Sequence, residues 1–580
     1  MQRVRRPAEI LAATGLFDRA RAEEILQLAR ARGHSVVETV VREKHALEED
    51  FLRGLAKAME VPFFRADEIR PDRETLERLP TATVFHFNVV PAALEDGALR
   101  IVVADPFRPG LADALRLAAG REVRFALAPA AEIAKAAKRL YGVGADTLDA
   151  ILQDQARPLE IAPETELFNK DIDDLDQEAS VVKFVNQIVW EAYQDGATDI
   201  HLEPQENDLR VRYRIDGVLH PTPVPPQLKR FQSAIISRVK VMAGMDIAEK
   251  RLPQDGRIGL RIRGEELDVR VSTMPTVYGE SVSLRLLLRR SGLLGMDKLG
   301  LSAEDEALLK RLIARPHGIL LVTGPTGSGK STSLYAWLHT INSTDKRILT
   351  IEEPIEYEMP GINQIQVKPE IGFTFAVGLR HILRQDPNVV MVGEIRDLET
   401  AEIAIRASLT GHLVFSTLHT NDAPSAFTRL IDMGIEPFLV ASSVEAVMAQ
   451  RLVRLVCPEC RAPQAVEPRY LLKIGFPRER IESARFFKGA GCDACRFLGY
   501  QGRTGIYELL VVTESMRPLI MNRAPASNIA AHAIAEGMKT LRMAGWERVL
   551  HPERPTTIEE VLRVTQVEEH LAALLGDEKN

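Results

Sequence analysis

The sequence predicts an α/β protein whose central domain is a parallel sheet carrying a phosphate-binding loop. The apolar segment 318–322 is typical of a buried strand, and the residues 324–331 (GPTGSGKS) match every fixed position of G-x-x-x-x-G-K-[ST]. A helix-compatible segment begins at Thr332, which completes the strand–loop–helix context that this motif requires. A second wholly apolar segment, 389–392, is typical of a strand covered on both faces, and Glu394 follows it closely.

The phosphate-binding loop has a defined chemistry. Its glycines let successive backbone N–H groups curl around phosphate oxygens, and the N-terminus of the following helix adds a favourable dipole. Lys330 can reach the β- and γ-phosphates, and the Ser331 hydroxyl can ligate Mg²⁺. An ordinary glycine-rich turn is the alternative, but it does not account for the flanking strand and helix. The residues expected to bind a nucleoside triphosphate are Gly324, Pro325, Thr326, Gly327, Ser328, Gly329, Lys330, Ser331 and Thr332.

Acidic and polar residues lie at the ends of three further predicted strands of this sheet. In parallel α/β sheets, ligands collect at the carboxyl ends of the strands. We therefore expect Glu352 and Glu353, after the strand 347–351, and Glu394, after the strand 389–392, to converge with the phosphate-binding loop on one site. The strand 413–419 is another buried strand, and it ends in the polar residues Thr417 and His419.

Composition and charge limit the class of protein. At 580 residues the chain is too long for one hydrophobic core, so roughly three to five domains are expected. The net charge of −7 argues against a dedicated nucleic-acid binder, which normally carries a basic excess. No segment approaches the roughly 20 apolar residues of a membrane span, and the basic N-terminus lacks the apolar core of a signal peptide. We expect a cytoplasmic protein that contacts a membrane only through a partner.

The four cysteines form two close pairs, Cys457 with Cys460 and Cys492 with Cys495. Two C-x₂-C turns can direct four thiolates at one tetrahedral ion, which predicts a structural zinc site without an open coordination position. The long loop between the pairs means that spacing alone does not decide the matter. Four unrelated buried cysteines are one alternative, and disulfides, which are rare in a reducing cytoplasm, are another.

The N-terminal part predicts a small α+β domain over residues 1–142, helical to about residue 65 and then mixed. Val89 to Ala104 is expected to form two strands that turn at Asp96-Gly97. Residues 143–178 predict a linker, because seven acidic residues crowd into fifteen positions there. A specific acidic docking site is the alternative interpretation of that linker.

Residues 179–296 predict a second α+β domain with unusual strands. In the strand 208–215, Arg210, Arg212 and Arg214 alternate with apolar residues, so the arginines share one face. Arg270 and Arg285 extend the pattern into later strands. Such a face requires either carboxylate partners, as in an ordinary salt-bridged sheet, or a polyanion. The remaining predicted regions are an ATPase-type core at 297–450, a zinc module at 451–505 and a C-terminal helical region at 506–580.

At this point the sequence resembles the type II secretion ATPases and the related type IV pilus extension ATPases over about residues 180–510. One departure is Glu353, where that family usually has aspartate, so a metal or water contact there is displaced by one methylene. The matching segments are the phosphate loop 324–331, 350–356 (TIEEPIE), 384–397 (RQDPNVVMVGEIRD), 410–421 (TGHLVFSTLHTN), the cysteine quartet, 199–204 (DIHLEP) and 270–275 (RVSTMP).

The resemblance implies a hexameric ring that binds ATP between a PAS-like domain, residues 179–296, and a RecA-like core. It further implies that Glu394 is catalytic, that Glu353 helps Ser331 to position Mg²⁺, and that trans-acting arginines stabilise the transition state. Those arginines are Arg270 and Arg285, with Arg380, Arg384 and Arg396 as further candidates in the core. His412 and His419 fall in the family's histidine box, either as phosphate or subunit sensors or as ordinary core histidines.

The resemblance also implies a partner, an inner-membrane platform protein to which residues 1–142 dock. Some family members bind cyclic di-GMP through paired Arg-Leu-Gly motifs in this domain, but here only Arg32-Gly33-His34 comes near that tripeptide. The function expected is ATP hydrolysis that drives protein secretion through a pilin-like filament. A type IV pilus assembly motor is the alternative, and a nucleic-acid translocase is a third hypothesis.

Overall fold

The chain separates into two compact units, residues 1–287 and residues 288–580. The acidic segment 143–178, predicted as a linker, lies outside the described residues. None of the helices in the described part of the chain has the length and apolar character needed to cross a membrane. The structure, a computed structural model, describes residues 7–95, 97–141, 180–262, 264–288 and 294–565.

Residues 7–141 form a helical layer packed on a three-stranded sheet, in which β2 pairs antiparallel with β1 and parallel with β3. The helices are α1 (Pro7–Ala13), α2 (Arg19–Arg32), α3 (Val36–Arg42), α4 (Glu48–Met59), α5 (Arg73–Glu77), α6 (Thr81–Phe87), α7 (Leu111–Ala119) and α8 (Ala130–Tyr141). The strands are β1 (Val89–Glu95), β2 (Ala98–Val103) and β3 (Val123–Leu127). This confirms the predicted pair of strands between Val89 and Ala104. Arg32, from the near-match to the cyclic di-GMP tripeptide, is ion-paired with Glu43.

Residues 180–288 form a six-stranded sheet of order β6-β5-β4-β9-β8-β7 with two helices. The helices are α9 (Ser180–Gln194) and α10 (Gln232–Met242). The strands are β4 (Ala197–Pro204), β5 (Leu209–Ile215), β6 (Val218–Thr222), β7 (Gln254–Ile262), β8 (Glu265–Thr276) and β9 (Gly279–Leu288). The alternation predicted for β5 is confirmed, because Leu209, Val211 and Tyr213 are buried. That burial leaves the arginines of β5 on the opposite face.

The second unit is built on a seven-stranded sheet of order β12-β11-β13-β14-β10-β15-β18. Its strands are β10 (Gly318–Thr323), β11 (Ile348–Glu352), β12 (Asn363–Gln366), β13 (Val389–Val392), β14 (Leu413–Leu418), β15 (Val444–Val456) and β18 (Tyr500–Val511). All pairings are parallel except that of β15 with β18. Separate apolar clusters cover the two faces, which is why β10 is apolar throughout. The predicted α/β fold is confirmed.

The helices of the second unit flank this sheet and extend beyond it. They are α11 (Ala303–Ile313), α12 (Lys330–Ile341), α13 (Phe375–Ile382), α14 (Leu398–Leu409), α15 (Ser425–Asp432), α16 (Pro437–Ser443), α17 (Pro468–Lys473), α18 (Arg517–Met521), α19 (Ala526–Ala535), α20 (Leu541–Val549) and α21 (Ile558–Val564). A two-stranded sheet, β16 (Arg461–Gln464) with β17 (Phe486–Gly489), lies between the cysteine pairs. The helical prediction from residue 506 onward is wrong up to Val511, because this segment pairs with β15 along the edge of the sheet.

Candidate active site

The phosphate-binding loop joins the buried strand β10 to helix α12. Gly324 has φ +148° and Gly329 has φ +88°, so both adopt backbone conformations that favour glycine. Atoms of Gln450 also occupy the space that a side chain at either position would need. A Cβ at Gly324 would lie 2.7 Å from the Gln450 carbonyl oxygen, and a Cβ at Gly329 would lie 2.7 Å from Gln450 Nε2. The local sequence and its tertiary surroundings therefore both require glycine.

Lys330, the first residue of α12, turns back onto the loop that precedes it. Its Nζ donates to the carbonyl oxygens of Gly324, at 2.7 Å, and of Pro325, at 3.2 Å. Burial lowers the pKa of Lys330 to about 8, with a further lowering by the nearby Arg451 and an opposing effect of Glu394. This ammonium group is held by neutral carbonyl groups, so an incoming phosphate would supply the anionic partner that it lacks in the described chain.

Glu394 lies at the centre of a cluster of charged residues beside the loop. Its Oε1 is 2.6 Å from Arg396 Nη2, and its Oε2 is 3.3 Å from His419 Nε2. Arg396 also lies 3.7 Å from Glu353 Oε2, which links the two acidic residues. The Thr417 hydroxyl donates to the carbonyl oxygen of Gly393 at 2.7 Å and so joins the ends of β13 and β14. The structure thus brings Glu353 and Glu394 together, as strand polarity predicts, and it adds His419 to the cluster.

Glu352 does not join this cluster, contrary to the sequence prediction. Its carboxylate is buried and accepts hydrogen bonds from the hydroxyls of Tyr335 and Thr350 and, at 3.2 Å, from Gln364 Nε2. Burial raises the pKa of Glu352 despite these bonds. Because adjacent residues of a strand point to opposite sides, Glu352 packs against α12 while its neighbour Glu353 reaches the site.

Two other candidate residues, His412 and Arg380, contact groups other than Glu394. His412 Nδ1 is 3.0 Å from the Ala407 carbonyl oxygen, so this histidine closes the end of α14. Arg380 is ion-paired with Glu399 near the start of that helix. Both side chains therefore contact residues of α14 in the structure.

Arg270 and Arg285 belong to the first unit, on β8 and β9. Arg285 Nε lies 3.0 Å from Asp199 Oδ1, and Arg214 Nε lies 3.5 Å from Asp199 Oδ2. Arg212 is paired with Glu203 in the same way. Carboxylate partners therefore account for much of the arginine-rich face. The side chain of Arg285 is nevertheless 54% exposed, which leaves its guanidinium accessible to a further anion.

Sequence reasoning missed two residues beside the loop, Gln450 and Arg451 on β15. The Ser333 hydroxyl, on α12, donates to Gln450 Oε1 at 2.8 Å. Arg451 donates from Nη1 to the Gln450 carbonyl oxygen at 3.0 Å and from Nη2 to the Asn421 carbonyl oxygen at 2.7 Å. The sequence feature that could have indicated these residues is their position as two adjacent polar residues in the middle of a largely apolar segment, 444–456.

The four cysteines form one cluster, with all four sulfur atoms within 4.8 Å of one another. Cys457 and Cys492 are 3.8 Å apart, and Cys460 and Cys495 are 3.7 Å apart, far beyond a disulfide bond. Zn–S bonds of about 2.3 Å in a tetrahedron place sulfur atoms about 3.8 Å apart, so the cluster fits zinc. Backbone N–H groups support the thiolates: those of Cys492 and Gly499 donate to the sulfur of Cys495.

Replacing Cys457 with serine is expected to abolish zinc binding and to destabilise the module. A hydroxyl is a poor zinc ligand, and binding of a structural zinc ion contributes directly to folding. Zinc per chain, measured by plasma mass spectrometry, should fall from about one to near zero, and the melting temperature should fall by several degrees. Glu479→Gln, in the same module, is the matched control. Full zinc content in the Cys457→Ser protein would contradict the assignment.

The sequence matches two family models and several secretion and pilus proteins. The family model described as Type II/IV secretion system protein matches residues 174–563, and a second model, the MshEN domain, matches residues 59–147. Type II secretion system protein E of Pseudomonas aeruginosa is 51% identical over 406 residues, 70% of this chain and 79% of that protein. Its counterpart from Xanthomonas campestris pv. campestris is 40% identical over 97% of this chain and 99% of that protein. The type IV pilus assembly ATPase PilB of Myxococcus xanthus is 41% identical, covering 89% and 91%.

Proposed function

Because the chain belongs to the type II/IV secretion system protein family, we propose that it hydrolyses ATP to power type II secretion through assembly of a pilin-like filament. The observation that carries this proposal is the position of Glu394. This acidic residue lies beside the phosphate-binding loop, only 12% exposed, between Arg396 and His419. A carboxylate held in this way can orient a water molecule for attack on a bound γ-phosphate.

The proposed reaction converts ATP and water into ADP and phosphate. Lys330 and the loop N–H groups hold the phosphates, and Glu394 orients and deprotonates the attacking water. Ser331 and Glu353 offer the hard oxygen ligands that suit Mg²⁺, and the ion would neutralise charge on the β- and γ-phosphate oxygens. Arg396 and His419 keep the Glu394 carboxylate in place. Zinc, held by the four cysteines, serves the fold.

We further propose a homo-hexameric ring at the cytoplasmic face of the inner membrane. In this ring Arg270 and Arg285 act in trans on the γ-phosphate, and this contact couples hydrolysis to motion. Two observations support this role for Arg285. The ion pair with Asp199 orients its side chain, and its exposure leaves the guanidinium accessible to a phosphate. The partner is an inner-membrane platform protein, with the N-terminal domain as the docking element.

The pilus motor is the second candidate. The observation in its favour is the relative PilB, a pilus assembly ATPase that matches 89% of this chain at 41% identity. The secretion function is preferred because the secretion protein of Pseudomonas aeruginosa reaches 51% identity over the 406 matched residues.

The test is quantitative mass spectrometry of culture supernatant and sheared surface filaments from a strain carrying Glu394→Gln. Loss of secreted enzymes with surface pilins intact is the expected result. Loss of pilins with secretion intact would establish the pilus motor instead. If neither fraction changed, the motor assignment itself would fail.

Nucleic acid is expected to leave the ATPase rate unchanged. The net charge of −7 provides no general attraction for a polyanion, and a translocase would require one. The rate should be measured with and without single-stranded DNA, duplex DNA and RNA at low salt, where such binding is strongest. A several-fold stimulation that disappears on raising the salt concentration would favour the translocase hypothesis.

A further inference from the structure

Arg451 lies on β15, the strand next to the phosphate-loop strand β10. The two strands are parallel, and Thr323, the last residue of β10, is in register with Ala449. Gln450 and Arg451 follow directly, so they run alongside the first residues of the loop.

Gln450 contacts both ends of the phosphate-binding loop. Its carbonyl oxygen lies against Gly324, and its side-chain amide lies against Gly329. Gln450 is 2% exposed, and its side chain also accepts the hydrogen bond from Ser333, within the first turn of α12. The width of the loop is therefore set partly by one residue of the neighbouring strand.

Arg451 completes this arrangement by spanning the start of the loop. Its guanidinium bonds the Gln450 carbonyl oxygen on one side and the Asn421 carbonyl oxygen on the other, at 3.0 and 2.7 Å. Thr420, next to Asn421, donates its backbone N–H to the Thr323 hydroxyl at 2.8 Å. Arg451 thus joins β15 to the segment after β14, across the end of β10.

The charge of Arg451 has no carboxylate partner among the described residues. Glu508 and Asp422 act on it electrostatically but form no ion pair with it. Both carboxylates are already engaged, since Glu508 accepts from the N–H groups of Ala423 and Leu541, and Asp422 accepts from that of Ser425. Arg451 is 8% exposed, and a buried cation that has no direct ion pair is costly.

We propose that Arg451 is a positioning residue for the nucleotide phosphates. It acts through Gln450 and Asn421 to hold the first turn of the phosphate-binding loop, and the charge of the bound polyphosphate offsets its own. This inference rests on the proposed ATPase function and adds a residue of β15 to the machinery of that site.

The test compares Arg451→Gln and Arg451→Lys with the matched control Arg454→Gln, all in the full chain. Arg454 lies on the same strand with a side chain 15% exposed, and it is ion-paired with Glu560 at 2.6 Å. The measurements are Kd for ATP and for ADP, KM and kcat, and the melting temperature with and without nucleotide. Binding to ADP does not depend on turnover, so it reports on the loop even when hydrolysis requires a partner.

Arg451→Gln is expected to raise the Kd values for ATP and for ADP by about tenfold to a hundredfold, because charged hydrogen bonds are lost. Arg451→Lys should recover part of this loss, because it keeps the charge but not the two-pronged geometry. Arg454→Gln should lower the melting temperature and leave both Kd values unchanged.

Wild-type affinity in both Arg451 variants would overturn the inference. So would an equal loss of affinity in Arg454→Gln, because the effect would then reflect stability alone. If the unmodified protein neither bound nor hydrolysed ATP, the proposed function itself would fail and this inference with it. Normal turnover in the unmodified protein, combined with unaffected Arg451 variants, would remove only the role of Arg451.

Discussion

Lys330→Ala is expected to reduce ATP turnover to background, a fall of at least roughly a hundredfold to a thousandfold. Lys330 is the first residue of helix α12, and its ammonium group donates hydrogen bonds to two carbonyl oxygens of the loop. Its removal deletes the group that would contact the β- and γ-phosphates, where charge develops during transfer. Phosphate release by the purified protein measures turnover, and a fluorescent nucleotide analogue measures binding.

Lys310→Ala is a suitable control for this experiment. Lys310 lies on α11 with a side chain 53% exposed and is paired with Glu306, outside the site. Its removal should change neither turnover nor affinity. Equal turnover by the Lys330→Ala and unmodified proteins would show that the loop is not the site of hydrolysis.

The parts of the site that the sequence predicted are those whose chemistry is local. The phosphate-binding loop is one continuous strand–loop–helix segment, so its motif specifies its conformation. The ends of parallel strands meet at one edge of a sheet, which is why Glu353 and Glu394 could be placed together from their positions in the chain. The cysteine cluster could also be predicted from the sequence, because the C-x₂-C spacing itself forms a turn that can hold a metal ion.

The errors concern residues whose environment depends on distant partners. Glu352 was placed at the site because it ends a strand, but the hydroxyl of Tyr335 from α12 satisfies it inside the fold. Residues 506–511 were predicted to be helical, yet their pairing with β15 makes them part of a strand. Pairing between distant segments is not visible in local patterns, and tertiary contacts outweigh local propensity.

Arg451 illustrates the same limit at the site itself. Its chemical partners, the carbonyl oxygens of Gln450 and Asn421, are backbone groups, so no side-chain motif indicates them. Its proximity to the loop follows from the strand order, in which β15 pairs with β10 on the side opposite β14. Only the topology of the sheet makes this arginine part of the candidate site.

Glu394→Gln is expected to separate nucleotide binding from hydrolysis. Glutamine keeps the shape of the side chain and its contact with Arg396, but it cannot accept a proton from water. Affinity for ATP should stay within about twofold, because Glu394 is not among the phosphate-holding residues, while turnover should fall by roughly a hundredfold to ten-thousandfold. Equilibrium binding of a non-hydrolysable ATP analogue and steady-state phosphate release measure the two quantities on the same preparation.

Glu402→Gln is the matched control for that loss of charge, since Glu402 lies on α14 with a side chain 44% exposed and pairs only weakly with Arg406 at 3.5 Å. It should hydrolyse ATP at the normal rate. Undiminished hydrolysis by Glu394→Gln would show that this residue is not the general base, and Glu353, the other carboxylate of the cluster, would become the candidate. A loss of ATP binding would show instead that the Glu394 charge holds Lys330 in place, because that carboxylate acts electrostatically on Lys330. The binding measurement therefore decides between a chemical and a positioning role for Glu394.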